Sequence, residues 1–142
     1  MKPIVILGAL LMCVSAFAST LNKSRLPANV NSVAIQCSTP KGFAGLSANV
    51  SGSLKLSPMP NGAAKATGKL KISLMNPRNP WSEEKMVLGQ YDDLTSVGSD
   101  RYFHGGATVK DANDIMEIFV NFTRGGLSFV EYDGTNYKMD CK

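Results

Sequence analysis

The sequence predicts an all-β protein, an antiparallel meander of about eight short strands that closes as a small barrel and is stapled by one disulfide bond. Three observations support this fold class. Apolar and polar residues alternate with the two-residue period of a strand in segment after segment. Breaks rich in Gly, Pro, Asn and Asp separate these segments, and no long stretch has the period of an amphipathic helix. The same pattern also suits a β-sandwich, which is the alternative architecture.

The individual strands follow from this alternation. They are predicted at Val33–Ser38, Phe43–Val50, Gly52–Ser57, Gly68–Leu74, Met86–Tyr91, Tyr102–Val109, Asp114–Phe122, Leu127–Glu131 and Asn136–Cys141. The segment Pro58–Thr67, rich in Pro, Gly and Ala, predicts a mobile loop. Asn79 followed by Pro80 predicts one capped helical turn. The pair Gly105-Gly106 predicts a bulge or a sharp bend.

Residues 1–18 have the pattern of a secretion signal. A short basic start with Lys2 precedes the apolar run Ile4–Phe17, and Ala18 closes a small-residue cleavage site. Cleavage there would leave 142 − 18 = 124 residues, which is one domain by size. The formal net charge would fall from +4 to +3 with the loss of Lys2. The mature chain is therefore predicted to be only mildly basic.

Three parts of the chain are expected: the signal at 1–18, a flexible leader at 19–32 and a single β domain at 33–142. A lipid anchor on Cys13 is disfavoured because Met12 is larger than the residue that this chemistry prefers before the cysteine. No later stretch is apolar for long enough to span a membrane as a helix. We therefore expect a secreted or periplasmic protein that does not span the membrane.

Two cysteines remain after removal of the signal, Cys37 and Cys141. An even number of cysteines in an oxidising compartment predicts a disulfide bond. Each cysteine lies on the apolar face of an alternating segment, one near the start of the domain and the other at its end. Closing a loop of about a hundred residues contributes about 4–5 kcal/mol in the chain-entropy model. The bond is thus predicted to join the first and last strands.

The register of the last hairpin is ambiguous in the sequence. A two-residue turn at Asp133-Gly134 would leave Leu127 and Phe129 on the solvent side. A three-residue loop, Tyr132–Gly134, with its glycine in a bulge shifts the pairing by one and buries both residues. We therefore predict the bulged loop, which directs Glu131 inward near the rim.

Motifs for catalysis and metal binding are weak in this chain. His104 is the only histidine, so a histidine-based hydrolase would have to use it. No Gly-x-Ser-x-Gly elbow occurs, and the oxygen-rich segment Asp92–Asp100 does not match a calcium loop. The sequence therefore predicts no catalytic residues, no metal site and no cofactor, and a hydrolase is the weakest alternative function.

A small binding protein with an unknown ligand is the leading functional hypothesis, acting through rim loops or an interior cavity. The candidate ligand-binding residues are Trp81, His104, Glu131 and Tyr137. Trp81 follows two prolines and is predicted to plug the core, with a ligand platform as the alternative. The partner could be a small molecule, an envelope component or a protein. A nucleic acid is not expected, because no nucleic-acid motif occurs and the protein is predicted to be exported.

A self-associating envelope or interaction protein is the alternative. In the predicted register Phe119 and Val130 lie on the outer face, where two apolar residues could begin a contact surface. Lys55, Lys69 and Lys71 are also predicted to point outward. Outward lysines on a sheet more often keep it soluble and guard its edges than mark an anionic partner.

Overall fold

Eight antiparallel strands form a closed barrel. The computed structural model describes residues 30–41, 45–93, 101–123 and 125–142. The strands are β1 Ser32–Ser38, β2 Ser47–Pro58, β3 Ala64–Met75, β4 Trp81–Asp93, β5 Arg101–Thr108, β6 Ile115–Asn121, β7 Ser128–Tyr132 and β8 Thr135–Cys141. Each strand pairs with the next in sequence, and β8 returns to pair with β1. The meander and its closure as a barrel are confirmed.

The predicted signal at 1–18 and the leader up to residue 29 lie outside the described residues, as does 94–100 of the oxygen-rich segment. Where the chain is described, no helix is long and apolar enough to cross a membrane. The end of the predicted leader joins the barrel. Ser32 opens β1, and the backbone N–H of Leu56 donates to the carbonyl oxygen of Asn31 at 2.8 Å.

The predicted disulfide bond closes the barrel. Cys37 and Cys141 are direct partners in the β1–β8 ladder, with their Cα atoms 4.1 Å apart. That ladder is short, since it continues only to Ser38 and Asp140. The hydroxyl of Thr39 supports the seam by donating to the carbonyl oxygen of Lys138 at 2.8 Å. A covalent bond therefore holds the junction at which backbone pairing is weakest.

Side chains from all eight strands fill the interior. The largest fully buried residues are Phe103, Ile35, Leu54, Leu70, Ile72, Leu74, Met116, Ile118, Val50, Val87, Val120 and Val130. They belong to one continuous apolar cluster. An eight-stranded barrel has an interior about wide enough for side chains to fill, so this packing is expected for the strand number.

The predicted strand Phe43–Val50, from residue 47 on, and the predicted strand Gly52–Ser57 form one long strand, β2, while residues 43 and 44 lie outside the described residues. Gly52 permits this continuity, because its φ of 146° is accessible to glycine but rarely to other residues. A Cβ atom at that position would also lie 2.6 Å from the carbonyl oxygen of Lys69. The glycine is therefore a point of close backbone approach inside a strand, and the prediction of a break there is wrong.

The predicted loop Pro58–Thr67 is mostly strand. Ala64 and Ala66 are buried in β3, and only residues 59–63 connect β2 to β3. Small alanines read as loop residues in the sequence, but a narrow barrel needs small side chains at some inward positions. The mobile loop is therefore a short turn at the end of a long hairpin.

The helical turn predicted at Asn79 and Pro80 is also wrong. The backbone N–H of Asn79 donates to the carbonyl oxygen of Asn76 at 3.1 Å, which closes a turn before Trp81 begins β4.

The bulge predicted at the glycine pair Gly105-Gly106 is also not present in the ladder. The β4–β5 ladder runs without a shift through Gly105, which faces Gly89. These two glycines make room for the buried ring of Phe103, since a Cβ at either would lie 2.6 Å from its carbon atoms.

The last hairpin uses the two-residue turn, so the predicted bulged register is wrong. Asp133 and Gly134 have φ angles of 48° and 69°, as a type I′ turn requires. Val130 consequently pairs with Tyr137. This register directs Tyr132, only 6% exposed, into the barrel and places Glu131 on the outer surface. Burying a carboxylate without a cationic partner costs more than exposing an apolar side chain, which explains the choice.

Two local contacts stabilise this register. Ser128 is fully buried, but its hydroxyl oxygen accepts a hydrogen bond from the backbone N–H of Asn121 at 2.9 Å. Phe129 points outward and stacks on Phe119, with ring centroids 5.6 Å apart. Of the two apolar residues that the bulged register would have buried, Leu127 remains largely in solvent, at 59% exposure.

Candidate interaction surface on the outer wall

The four ligand-binding candidates from the sequence do not form one site. Tyr137 is a core residue, 3% exposed, and its hydroxyl oxygen accepts a 3.4 Å hydrogen bond from the side chain of Asn76. Trp81 is half-buried at the start of β4, with its ring 5.7 Å from that of Tyr132. Trp81 therefore covers one end of the core, as the plug interpretation predicts.

His104 and Glu131 lie on the same outer surface, separated by Glu117. Glu117 is the direct ladder partner of Glu131. His104 Nε2 lies 2.6 Å from Glu117 Oε1, and the N–H of the imidazole donates to the carboxylate. Like charges directly opposite each other destabilise a sheet, so the His104 contact helps Glu117 tolerate its neighbour. The prediction that Glu131 points inward is wrong.

An aromatic row crosses three strands of this outer wall. It consists of Tyr102 and His104 from β5, Phe119 from β6 and Phe129 from β7. Phe119 is central: its ring centroid is 6.0 Å from that of Tyr102 and 5.6 Å from that of Phe129, both in stacked orientation. The imidazole of His104 meets Phe119 edge-on at 5.8 Å. Cross-strand aromatic pairs of this kind stabilise a sheet and also form rigid contact surfaces.

An apolar patch lies beside the aromatic row. Met86, Leu88 and Ile115 are 61%, 54% and 62% exposed. Leu88 is the ladder partner of Gly106, and Ile115 reaches over this glycine, with its Cγ2 atom 3.2 Å from where a Cβ would stand. Single exposed apolar residues are normal on protein surfaces, whereas a contiguous group of them is more typical of contact sites.

Together, the aromatic row and the apolar patch occupy the outer wall of β4–β7, with the carboxylates of Glu117 and Glu131 between and beside them. Phe119 lies on the outer side, as the sequence predicted, whereas Val130 is fully buried. His104 was a candidate from the sequence, and the remaining members were missed because the surface is assembled from four strands, β4 to β7. Only the register shows that they are neighbours.

The core under this wall changes the pKa of one tyrosine, Tyr91. Tyr91 is 2% exposed and packs edge-on against Phe122 at 6.0 Å. Burial raises its pKa above the usual value, and the negative charge of Asp93 raises it further, while Arg101 partly opposes both effects. The pKa is raised because the phenol is buried, and its charged form would lose most of its hydration there.

Comparison with known proteins found no similarity: no family model, curated protein or solved structure matches this chain.

Proposed function

We propose that this is an exported interaction protein that recognises a protein partner through the outer wall of β4–β7. The observation that carries the proposal is the aromatic row, a set of rings in mutual contact on the solvent side of a barrel. Aromatic side chains dominate the energetics of protein interfaces, because they bury a large area with few rotatable bonds.

The filled interior supports an outer rather than an inner site. Ile118 and Val120 of β6 and Val130 of β7 point into the core from the strands that carry Phe119 and Phe129 outside, and all three are fully buried. A ligand in the barrel would have to displace these side chains. The proposed recognition therefore uses the outside of the same strands.

The charges on this wall suggest the partner's chemistry. Glu117 and Glu131 are side by side next to an apolar centre. An interface usually has an apolar core and a polar rim, with complementary charges across it. The proposed partner has an apolar patch bordered by Lys or Arg side chains. A second copy of this chain would be one such partner only if its lysines meet these carboxylates.

An extracytoplasmic location is part of the proposal. The disulfide between Cys37 and Cys141 is compatible with an oxidising compartment. The signal pattern at 1–18 suggests export. We accordingly place the protein in the periplasm or outside the cell, where its staple would remain oxidised.

Site-specific photo-crosslinking in the native compartment tests the proposal. A photoreactive phenylalanine analogue at Phe119 should give a discrete adduct with a partner protein. The same analogue at Ser53, an exposed position on β2 of the opposite wall, is the matched control and should give none. Sedimentation of the purified protein distinguishes a second copy from another protein. Equal adducts from both positions, or none from position 119, would refute the proposal.

A further inference from the structure

The outer wall of β1–β4, away from the aromatic row, carries a polar groove. It consists of two adjoining cavities of about 390 and 290 Å³, which share Asn49 and Ser73. Gln36, Ser51 and Lys71 line the first cavity. The second cavity continues along the wall and contains Ser82 and Trp81.

The shape of the groove follows from the strand register. Ser38, Asn49, Ser73 and Ser82 are successive ladder partners on β1, β2, β3 and β4. Ladder partners point to the same side of a sheet, so these short side chains form a shallow trough that crosses the strands. Longer side chains border it, including that of Lys71. The trough ends beside Trp81, whose ladder partner is the buried Leu74 and whose ring packs near Tyr132 at the end of the core.

The groups in this groove suit a ligand with many hydroxyls. Serine hydroxyls and the carboxamides of Gln36 and Asn49 both donate and accept hydrogen bonds, as sugar hydroxyls do. Two of the hydroxyls are already connected, because Ser73 Oγ lies 2.6 Å from Ser82 Oγ. The exposed part of Trp81, which lines the second cavity, adds an apolar surface at the end of the trough.

One cation gives the groove a charge preference. Lys71 lies opposite Glu84 in the ladder, but the carboxylate of Glu84 forms its ion pair with Lys69, at 3.9 Å. Within the described ranges Lys71 makes no ion pair. Its ammonium group is the positive charge among the neutral polar side chains that line the first cavity. A charged donor forms stronger hydrogen bonds with an anion than with a neutral acceptor.

We infer that the groove binds an acidic oligosaccharide, with its carboxylate or sulfate on Lys71, its hydroxyls on the serine and carboxamide side chains, and one sugar ring near Trp81. This site is on a different wall from the proposed protein contact and does not depend on it.

Titration of the isotopically labelled protein with tetragalacturonate tests the inference. The carboxamide signals of Gln36 and Asn49 and the indole signal of Trp81, the one tryptophan of the chain, should shift together and saturate at millimolar concentration. Lys71→Gln should weaken binding about tenfold, the effect of losing one charge-assisted hydrogen bond. Lys65→Gln is the matched control, an exposed lysine of the same strand outside the groove, and should bind like the parent.

Two further probes identify the chemistry that is recognised. Cellotetraose, which is neutral, and inorganic phosphate, which has a charge but no sugar ring, should each bind at least about tenfold more weakly than tetragalacturonate. Equal loss of affinity in both lysine variants would mean unspecific attraction to a polyanion and would overturn the inference. So would equal binding of cellotetraose, binding of phosphate alone, shifts confined to the aromatic row, or no saturable shift with tetragalacturonate or with a sulfated heparin tetrasaccharide.

Discussion

Long strands build one half of the barrel and short strands build the other. β2, β3 and β4 have 12, 12 and 13 residues, whereas β5, β6, β7, β8 and β1 have 8, 7, 5, 7 and 7. The β3–β4 ladder runs from Ala64 to Leu74, while the β6–β7 ladder runs only from Glu117 to Phe119. The long strands are therefore joined by a much longer backbone ladder than β6 and β7 are.

The side chains of the outer walls differ in the same way. The outer face of β2 and β3 is composed mainly of Ser, Lys and Asn, and it contributes to the polar groove. The short strands have additional contacts instead: the disulfide at Cys141, the Ser128–Asn121 hydrogen bond and the aromatic row. Where the ladder is long, backbone pairing is extensive, and the outer side chains add the Ser73–Ser82 hydrogen bond and the Lys69–Glu84 ion pair. Where it is short, the outer side chains both stabilise the sheet and form a surface.

Removal of the disulfide bond should have the largest effect on stability and should affect the two halves differently. Replacing Cys37 and Cys141 with serine should lower the free energy of unfolding by about 2–5 kcal/mol. The short half should loosen first, because β8 ends at the bond and terminal strands fray without an anchor. Denaturant unfolding measures the loss, and hydrogen exchange should show the β8 amides opening before those of β3. Uniform exchange in both halves, or two alkylated thiols in the unreduced protein, would contradict the account.

A pair of substitutions in β7 tests which of its faces is the core. Val130→Ala should destabilise the protein by about 2 kcal/mol, because it removes methyl groups from a fully buried site. Phe129→Ala should cost about 1 kcal/mol, the value of an outer cross-strand aromatic pair. Both are measured by denaturant unfolding. The opposite order would support the bulged register and would move the aromatic row inside.

Ser128 tests whether a side-chain hydroxyl supplies the hydrogen-bond acceptor that the short β6–β7 ladder lacks. Ser128→Ala should cost about 1–2 kcal/mol, since the backbone N–H of Asn121 loses its acceptor in a partly buried position. The matched control, Ser53→Ala on the wall of the long strands, should change stability by less than about 0.5 kcal/mol. Thermal unfolding of both variants measures the two losses. Equal shifts in Tm would show that the two halves do not differ in this respect.

Alkaline pH should have a smaller effect on stability, through Tyr91 of β4, which pairs with β5 where the two halves meet. Burial, followed by the charge of Asp93, raises the folded-state pKa of Tyr91. The unfolded chain then loses this proton first, so the contribution to stability is complete below the unfolded pKa of about 10 and declines as the pH rises further. Tyr91→Phe should flatten this alkaline decline. An unchanged slope, or a tyrosine titration with no phenol above the normal range, would contradict the argument.

The sequence predicted the strand architecture and the disulfide bond, because each depends on a local alternation that a single segment displays, but it divided β2 in two and assigned the start of β3 to a loop. Cys37 and Cys141 both lie on apolar faces of such segments, and the bond is present as predicted. The register of β7 was missed because both of its faces carry apolar residues. The deciding signal was Glu131, since the bulged register would have buried its carboxylate.

The two surfaces could not be predicted in the same way. Phe119 and Phe129 are neighbours only because β6 and β7 pair, and Asn49 and Ser73 share a groove only because β2 and β3 pair. An outer row assembled from several strands has no period in the sequence. A register error of one residue also moves every side chain of a strand to the other face.

Fluorine labels on three phenylalanines test most directly whether recognition occurs outside the barrel. 4-Fluorophenylalanine is placed at Phe119, Phe129 or Phe103, one position at a time, and the purified protein is compared with the same protein in concentrated extract of its native compartment. A soluble paramagnetic agent should broaden the signals of positions 119 and 129 in the purified protein, and the extract should shift them and protect them. The signal of position 103, which is fully buried, should remain unchanged in both. A shift confined to position 103 would place the ligand inside the barrel and contradict the account.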